Sequence, residues 1–231
     1  MALALAYFAI RFHPLYVGAE RDPRWQVDKI SDTEGQQDTP SVVELWRTLN
    51  ERVDIHAARI AGLSTFDAVD RLANMPHIRE KCLRGFTVTA ENVDRVAQEV
   101  CLCALRLYAA RPALTTLHAL TGSQALATIL PSLHNAHTRV VSVSLLWIWL
   151  SCLFLEKGSP RQAVSTEEDD DEDNEGRDVE GEWKAVMTAA CSSPHVHVIK
   201  FVYSCRLLWQ TNPDNLYLKV SRSVVRQGWP W

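Results

Sequence analysis

The sequence predicts an all-α fold, a single multi-helix domain that covers residues 1–231. Several stretches repeat apolar residues three and four positions apart, which is the period of a helix that buries one face. Glycine and proline, at 9 and 10 residues, are sparse, and this argues against a β-protein with many tight turns. No stretch that alternates apolar and polar residues is longer than residues 86–89. A chain of 231 residues is also long enough to bury a sizeable core.

The helical period and the capping residues predict the order of the elements. Ser41 and Thr89 suit N-caps, Pro76 stops a helix, and a last helix begins at Asp214. A break at residues 131–135 separates two apolar helices. The predicted helices before the last one are residues 1–12, 41–54, 66–75, 91–110, 114–133, 136–156 and 198–210.

Two polar segments interrupt these helices. Residues 18–40 are rich in Asp, Gln and Pro, and we expect a long loop there. Eleven of the 28 acidic residues lie within residues 165–182, where Arg177 is the only base. Closely spaced like charges repel and bury no apolar area, so residues 158–182 are predicted to be a disordered acidic insertion. An acidic docking tail for a basic partner is the other interpretation.

Charge, cysteine content and hydropathy exclude several classes of protein. Outside residues 165–182 there are 23 bases and 17 acids, but they are scattered, so no nucleic-acid binding is expected. The six cysteines form no CxxC pair, which indicates free thiols and a cytoplasmic protein. The uncharged residues 140–155 are shorter than the about 20 residues that span a bilayer. They predict a buried core helix without stable membrane insertion; a membrane-associated helix is the alternative.

Two histidine segments are candidate sites. In LHALTG, His118 lies just before Thr121 and Gly122. We expect these two residues to form a break in a helical hairpin. A histidine there suits proton transfer, although a half-buried histidine bonded to a carbonyl is the simpler interpretation. In HVHVIK, His197 and Lys200 share a helical face, where a lysine can hold a phosphate or lower the histidine pKa by like charge.

Other patterns carry weaker predictions. The histidines of HNAH at residues 134–137 are predicted to lie on the surface, and HxH at residues 195–197 lacks a third ligand, so no metal site is predicted. Core packing is the default for the tryptophans at helical spacing, with a flat aromatic pocket as the alternative. These are Trp147, Trp149, Trp183 and Trp209. No dinucleotide, P-loop, serine-hydrolase or zinc-protease motif occurs, so any cofactor must bind outside a Rossmann arrangement.

Taken in order, these segments resemble one family. VAQEVCLCALRLYAARPALTTLHALTGSQALATILPSL, SLLWIWLSCLF and EWKAVMTAACSSPHVHVIKFVYSCRLLWQTNPDNLYLKVSRSVV resemble the questin oxidase-like pattern, with its H-x-x-T-[GS] core and H-x-x-K helix. The opening ALALAYFAIRFHPL resembles a helix from the middle of that family. The chain is therefore similar to the C-terminal part of a questin oxidase-like domain, from Met1 to about Val225.

The resemblance implies an oxidoreductase of fungal secondary metabolism. Family members open an anthraquinone-type ring of a polyketide by a Baeyer–Villiger-like oxidation that uses NADPH and oxygen. The implied catalytic residues are His118, His197 and Lys200, and the implied substrate-binding residues are Thr121, Trp147 and Tyr203. The histidines would move protons or polarise a carbonyl, and the lysine would stabilise negative charge. Whether a flavin or a metal assists is left open.

Two departures from the family support an alternative. His195 stands where family members carry an acid, and the family's N-terminal section has no counterpart before Met1. If that section completes the active site, we expect an inactive helical interaction module that exposes an apolar face. Such a module would associate with a second copy or with a full-length paralogue.

Overall fold

The computed structural model describes residues 41–52, 64–163 and 178–228. Within these ranges the chain is helical and contains no strand, which confirms the all-α prediction. The predicted helix at residues 1–12 and the predicted loop at residues 18–40 lie outside the described residues. The helices are α1 (Val42–Arg52), α2 (Thr65–Asn74), α3 (Pro76–Leu83), α4 (Val93–Ala110), α5 (Leu114–Ile129), α6 (Ala136–Glu156), α7 (Val179–Cys191), α8 (Val196–Thr211) and α9 (Asn215–Gln227).

Side-chain caps fix several helix starts, as the sequence predicts. The hydroxyl of Ser41 accepts from the backbone N–H of Glu44 at 3.3 Å, and the Glu44 carboxylate accepts from the N–H of Ser41 at 3.2 Å, a reciprocal capping box. Asp214 caps α9 by accepting from the N–H of Leu216 at 2.8 Å. The helix expected from Glu91 begins later, at Val93, because Asn92 is its N-cap. Thr89 precedes this start and bonds reciprocally with Asn92: its hydroxyl accepts from the backbone N–H of Asn92 at 3.4 Å, and its own N–H donates to the Asn92 side chain at 2.8 Å.

Two helices were not predicted. Pro76 ends α2, but it also occupies the first turn of α3, where a missing N–H costs nothing and the fixed φ suits a helix. The helix α7 begins at Val179, capped by Asp178, so the predicted insertion at residues 158–182 is wrong in its last residues. It is also wrong near its start, where a 3₁₀ turn at Arg161–Ala163 buries Ala163. Residues 164–177 lie outside the described residues.

Helix α4 lies at the centre of the packing. It contacts α1, α5, α6 and the Arg161–Ala163 turn, and α2 and α3 pack on α6. Helix α8 contacts α5, α7 and α9, and the rings of Tyr108 and Phe201, 4.4 Å between centroids, connect α4 to α8. The buried residues of α4 run almost around the helix, because other elements surround it. They are Val93, Val96, Ala97, Val100, Cys101, Cys103, Ala104, Leu105, Leu107 and Tyr108.

Helix α6 is the most apolar element of the described chain. At 21 residues it is longer than the predicted uncharged core of residues 140–155, and by length and composition it is able to cross a membrane. Within its most apolar window, however, 61% of the residues are buried inside the structure. Its packing against α2, α3, α4 and α5 is that of a helix in the core of a helical domain.

Candidate functional site

The histidine of LHALTG lies in the middle of a continuous helix. Helix α5 runs from Leu114 to Ile129, so the predicted break at Thr121 and Gly122 is wrong. A Cβ added to Gly122 would meet no atom within 4 Å, so no close approach requires glycine there and the residue is accommodated in the helix. The hydroxyl of Thr121 donates to the carbonyl oxygen of His118 at 3.4 Å, a long bond along the same helix. His118 itself is half-buried.

The HVHVIK segment forms the first turns of α8. His195 is the N-cap residue but makes no side-chain capping bond, and the helix begins at Val196. Val198, Phe201 and Val202 are buried, and this orients the opposite face of α8 outward. His197 on that helix is half-buried, and Lys200, three residues later, is exposed. Because His197 and Lys200 are three residues apart on this helix, they lie on the same side of it, as predicted.

Helix α5 packs on α8, and His118 of α5 lies within electrostatic reach of Lys200 and His197 of α8. Burial lowers the pKa of His118 below its ordinary value of 6.5, and the positive charges of Lys200 and then His197 lower it further. Partial burial also lowers the pKa of Lys200, although the residue as a whole is exposed. At neutral pH His118 is therefore mainly neutral, so its imidazole is able to accept a proton.

Apolar side chains surround this cluster and remain open to solvent. The ring of Phe66, in the first turn of α2, meets the imidazole of His118 edge to face, with 6.5 Å between centroids. Phe66 is 47% exposed, and Leu114, one turn before His118, is 42% exposed. Phe66 is absent from the predicted site because helical period alone does not show which residue of another helix will meet His118.

The predicted substrate residue Tyr203 lies on the same side of α8, three residues after Lys200. It is 56% exposed, and Val196 at the start of the helix is 69% exposed. Together with Phe66, Leu114 and Ile199, these residues are the exposed apolar side chains around the cluster, and this set is called here the α5–α8 face. Its polar members are His118, His197 and Lys200.

Trp147 lies elsewhere, so its predicted role in substrate binding is not supported by its position. It is fully buried, and its indole N–H donates to the carbonyl oxygen of Cys82 at 2.8 Å. Its ring stacks on Phe86 and on Trp46, at centroid distances of 4.9 and 5.8 Å. These contacts make Trp147 a core residue between α1, α3 and α6, and the default of core packing holds for it.

The other tryptophans divide between two places. Trp183 of α7 and Trp209 of α8 lie 5.9 Å apart between centroids, with the guanidinium of Arg206 beside both rings. Trp149 is half-buried on α6. The four tryptophans therefore form no common aromatic pocket.

Metal-ligating side chains do not converge in the described residues. Over residues 41–52, 64–163 and 178–228, no three His, Cys, Asp or Glu side chains lie close enough to hold a metal ion. In HNAH, His134 is exposed, and Asn135 caps α6 by accepting from the N–H of Thr138 at 3.0 Å. That segment therefore has a clear structural role at the start of a helix.

Comparison of the chain with protein-family models, with curated proteins and with solved structures gave no match. The fold and the site geometry therefore define the class of protein by themselves. That class is an all-α domain with a partly desolvated histidine–lysine cluster on an open apolar face.

Proposed function

We propose that the chain is an oxidoreductase resembling questin oxidase, acting with NADPH and oxygen in a Baeyer–Villiger-type ring opening of an anthraquinone-like polyketide. One observation carries the proposal. The H-x-x-T-G and H-x-x-K segments are distant in sequence, yet His118 lies close enough to Lys200 and His197 for their charges to lower its pKa. Convergence of titratable groups with shifted pKa values is typical of functional sites.

The cluster suits the chemistry of a ring carbonyl. His118, held mainly neutral, takes a proton from a phenolic hydroxyl or from water. Lys200 donates a hydrogen bond to oxygen as negative charge develops on it, and the partly desolvated setting strengthens that interaction. Phe66, beside His118, offers its ring to a flat aromatic substrate. Tyr203, largely exposed on α8, extends that surface.

The same residues fit an anionic group of the cofactor. Lys200 supplies a cation, and the edge-to-face pair of Phe66 and His118 supplies an aromatic surface beside it. When bound, NADPH supplies the two electrons that reduce one oxygen atom of O₂ to water while the other enters the ring. The role of the protein residues is to bind the anionic and aromatic parts and to hold the proton on the imidazole of His118.

The proposal is tested by measuring NADPH and oxygen consumption by the 231-residue chain with a hydroxyanthraquinone, and by mass analysis of the product. Replacing His118 with Ala should lower kcat by about 10²–10⁴-fold, the usual contribution of an acid–base group. Replacing Lys200 with Gln should lower kcat by about 10²–10³-fold, as for loss of one charge-stabilising donor.

His134→Ala is the matched control, because His134 is an exposed histidine outside the cluster. It should leave turnover unchanged. Wild-type activity that persists in both His118→Ala and His197→Ala would refute the assigned roles. A wild-type chain that consumes no NADPH with any hydroxyanthraquinone would refute the enzymatic proposal.

The second candidate is a catalytically inactive interaction module, and exposed apolar side chains on the α5–α8 face favour it. Val196, Tyr203 and Phe66 are each about half exposed or more. Large exposed apolar patches are typical of protein interfaces. Sedimentation velocity of the wild type and of Val196→Asp with Tyr203→Asp tests this candidate. Concentration-dependent association that the double substitution abolishes supports it, and a monomer at all concentrations argues against self-association.

A further inference from the structure

A groove of about 550 Å³ runs along helix α7, on residues that the proposed function does not use. Its lining residues on α7 recur every three or four positions, so they form one side of the helix along nearly its full length of about 18 Å. A residue of α8, Arg206, completes one wall. The α7 residues are Glu180, Trp183, Lys184, Met187, Thr188 and Cys191, and Ser192, the C-cap residue, follows them.

The middle of the groove is apolar. Trp183, Met187 and Cys191 follow one another at intervals of four residues, and Met187 is 37% exposed. The neighbouring hydroxyls serve the helix itself, because Thr188 donates to the carbonyl oxygen of Lys184 at 2.8 Å and Ser192 to that of Thr188 at 3.1 Å. These bonds engage both hydroxyl protons, so the row of hydroxyls does not donate into the groove.

Two donors at the Arg206 end are buried without an acceptor. Arg206 stacks 4.7 Å from the ring centroid of Trp209 and 5.5 Å from that of Trp183, and one guanidinium nitrogen, Nη2, donates to Glu180 at 2.7 Å. The other nitrogen, Nη1, and the indole Nε1 of Trp183 have no hydrogen-bond partner. Trp183 is only 1% exposed. Buried donors are almost always paired in proteins, so this pair needs an explanation.

We propose that this groove binds a flat aromatic molecule that carries a carboxylate. The two cations of the lining, Arg206 and Lys184, outnumber the single acid, Glu180, so an anionic group is favoured. Carboxylate oxygens accept from Arg206 Nη1 and Trp183 Nε1 after a small shift of the two side chains. The ring of the ligand lies on Met187, whose thioether makes favourable contacts with aromatic rings.

A thiol in the groove supplies a local readout of binding. All six cysteines of the chain are described, and Cys191 is exposed while Cys82, Cys101, Cys103, Cys152 and Cys205 are buried. The experiment measures the rate at which DTNB labels the native chain as 2-naphthoate is added. We expect saturable protection of Cys191 by 2-naphthoate and at least tenfold weaker protection by the neutral 2-naphthol. Octanoate, which has a carboxylate but no ring, should also protect at least tenfold less well.

Three substitutions locate the site. Trp183→Phe removes the N–H donor and keeps an aromatic ring, and it should weaken protection about tenfold, as for loss of one hydrogen bond to a charged group. Arg206→Gln should abolish protection. Lys184→Gln changes an exposed side chain, so it keeps the fold and should weaken protection by about threefold to tenfold through loss of one nearby charge.

The matched controls are Trp149→Phe on α6 and Lys219→Gln on α9, because both residues lie outside the groove. In both variants, 2-naphthoate should protect Cys191 from DTNB as well as it does in the wild type. Circular dichroism confirms that each variant is folded. The proposal is overturned if 2-naphthoate at millimolar concentration gives no protection, or if Lys184→Gln and Trp183→Phe bind like the wild type. Equal protection by octanoate or 2-naphthol overturns the assigned ligand class.

Discussion

Lys200 of α8 and His118 of α5 belong to segments far apart in the sequence, yet the charge of Lys200 lowers the pKa of His118 in the folded chain. Burial contributes most to that lowering, and His197 contributes least. These groups face His118 from α8, and Phe66 faces it from α2. The charge state of His118 therefore depends on how α5 packs against α8.

The first prediction concerns the pKa of His118. Lys200→Met removes the neighbouring like charge, so the pKa of His118 should rise toward its ordinary value of 6.5, while burial keeps it below that value. Titration of the histidine ring protons by NMR measures this shift. Lys219→Met on α9 is the control and should leave the pKa of His118 unchanged. An unchanged His118 pKa in Lys200→Met would contradict the electrostatic contact.

The lowered pKa also predicts how stability depends on pH. Between the folded pKa of His118 and 6.5, the unfolded chain binds more protons at this residue than the folded chain does. The contribution of His118 to stability is therefore fully present above about pH 6.5 and falls as the pH drops through the folded pKa. Urea unfolding from pH 7.5 to 5 should show a smaller decline in His118→Gln than in the wild type. An equal decline in the two chains would show that His118 does not carry this dependence.

A buried bond between α1 and α6 gives the third prediction. The indole N–H of Trp46 donates to the hydroxyl of Ser151 at 3.1 Å, and both residues are fully buried. Ser151→Ala leaves that N–H unpaired and should lower the free energy of unfolding by about 1–3 kcal/mol. The control is Ser144→Ala on the same helix, where the hydroxyl donates only to the carbonyl oxygen of Val140. That carbonyl is part of the helix, so Ser144→Ala should lower the free energy of unfolding less than Ser151→Ala does. Equal decreases in urea unfolding would contradict the role of the Trp46 bond.

The capping residues, α6 and the last helix were predictable because they depend on local sequence. Helix α6 has the predicted bounds of residues 136–156, since Asn135 caps it and the residues from 140 to 155 carry no charge. Asp214 likewise fixes the start of α9 through a bond two residues away. Pro76 shows the limit of such reasoning, because the same residue ends one helix and begins another.

The candidate site was predictable only in part. His197 and Lys200 share one helix, so their spacing follows from the helical period. The contact of His118 with Phe66 depends on how α2 packs beside α5, and no local pattern indicates it. The positions of Trp147 and Arg206 were likewise not predictable. Trp147 is fully buried in the core, whereas Arg206 lies beside two indole rings. Their sequence neighbours are apolar in both cases, so sequence alone does not separate a core position from a groove.

The core position of Trp147 gives the fourth prediction. Trp147→Phe removes the bond to the carbonyl oxygen of Cys82 and part of the stack on Phe86, so it should lower the free energy of unfolding by about 2–4 kcal/mol. The pKa of His118 should not change, because Trp147 is not part of the α5–α8 face. Trp149→Phe, at a half-buried position of the same helix, should cost less than about 1.5 kcal/mol. A Trp147→Phe chain of normal stability would contradict the core role.

The fifth prediction concerns thiol reactivity in the native chain. Burial raises the pKa of Cys101 and of Cys205 to about 12, and a hydrogen bond with Cys82 followed by burial raises that of Cys152. Since the thiolate is the reactive form, these buried thiols should resist DTNB, whereas the exposed Cys191 should react. We expect one equivalent of thiol per native chain and six after unfolding in guanidinium. Cys191→Ser should remove the native equivalent. Two or more fast equivalents in the native wild type would show that a buried helix opens readily, and this would contradict the packing around α4 and α6.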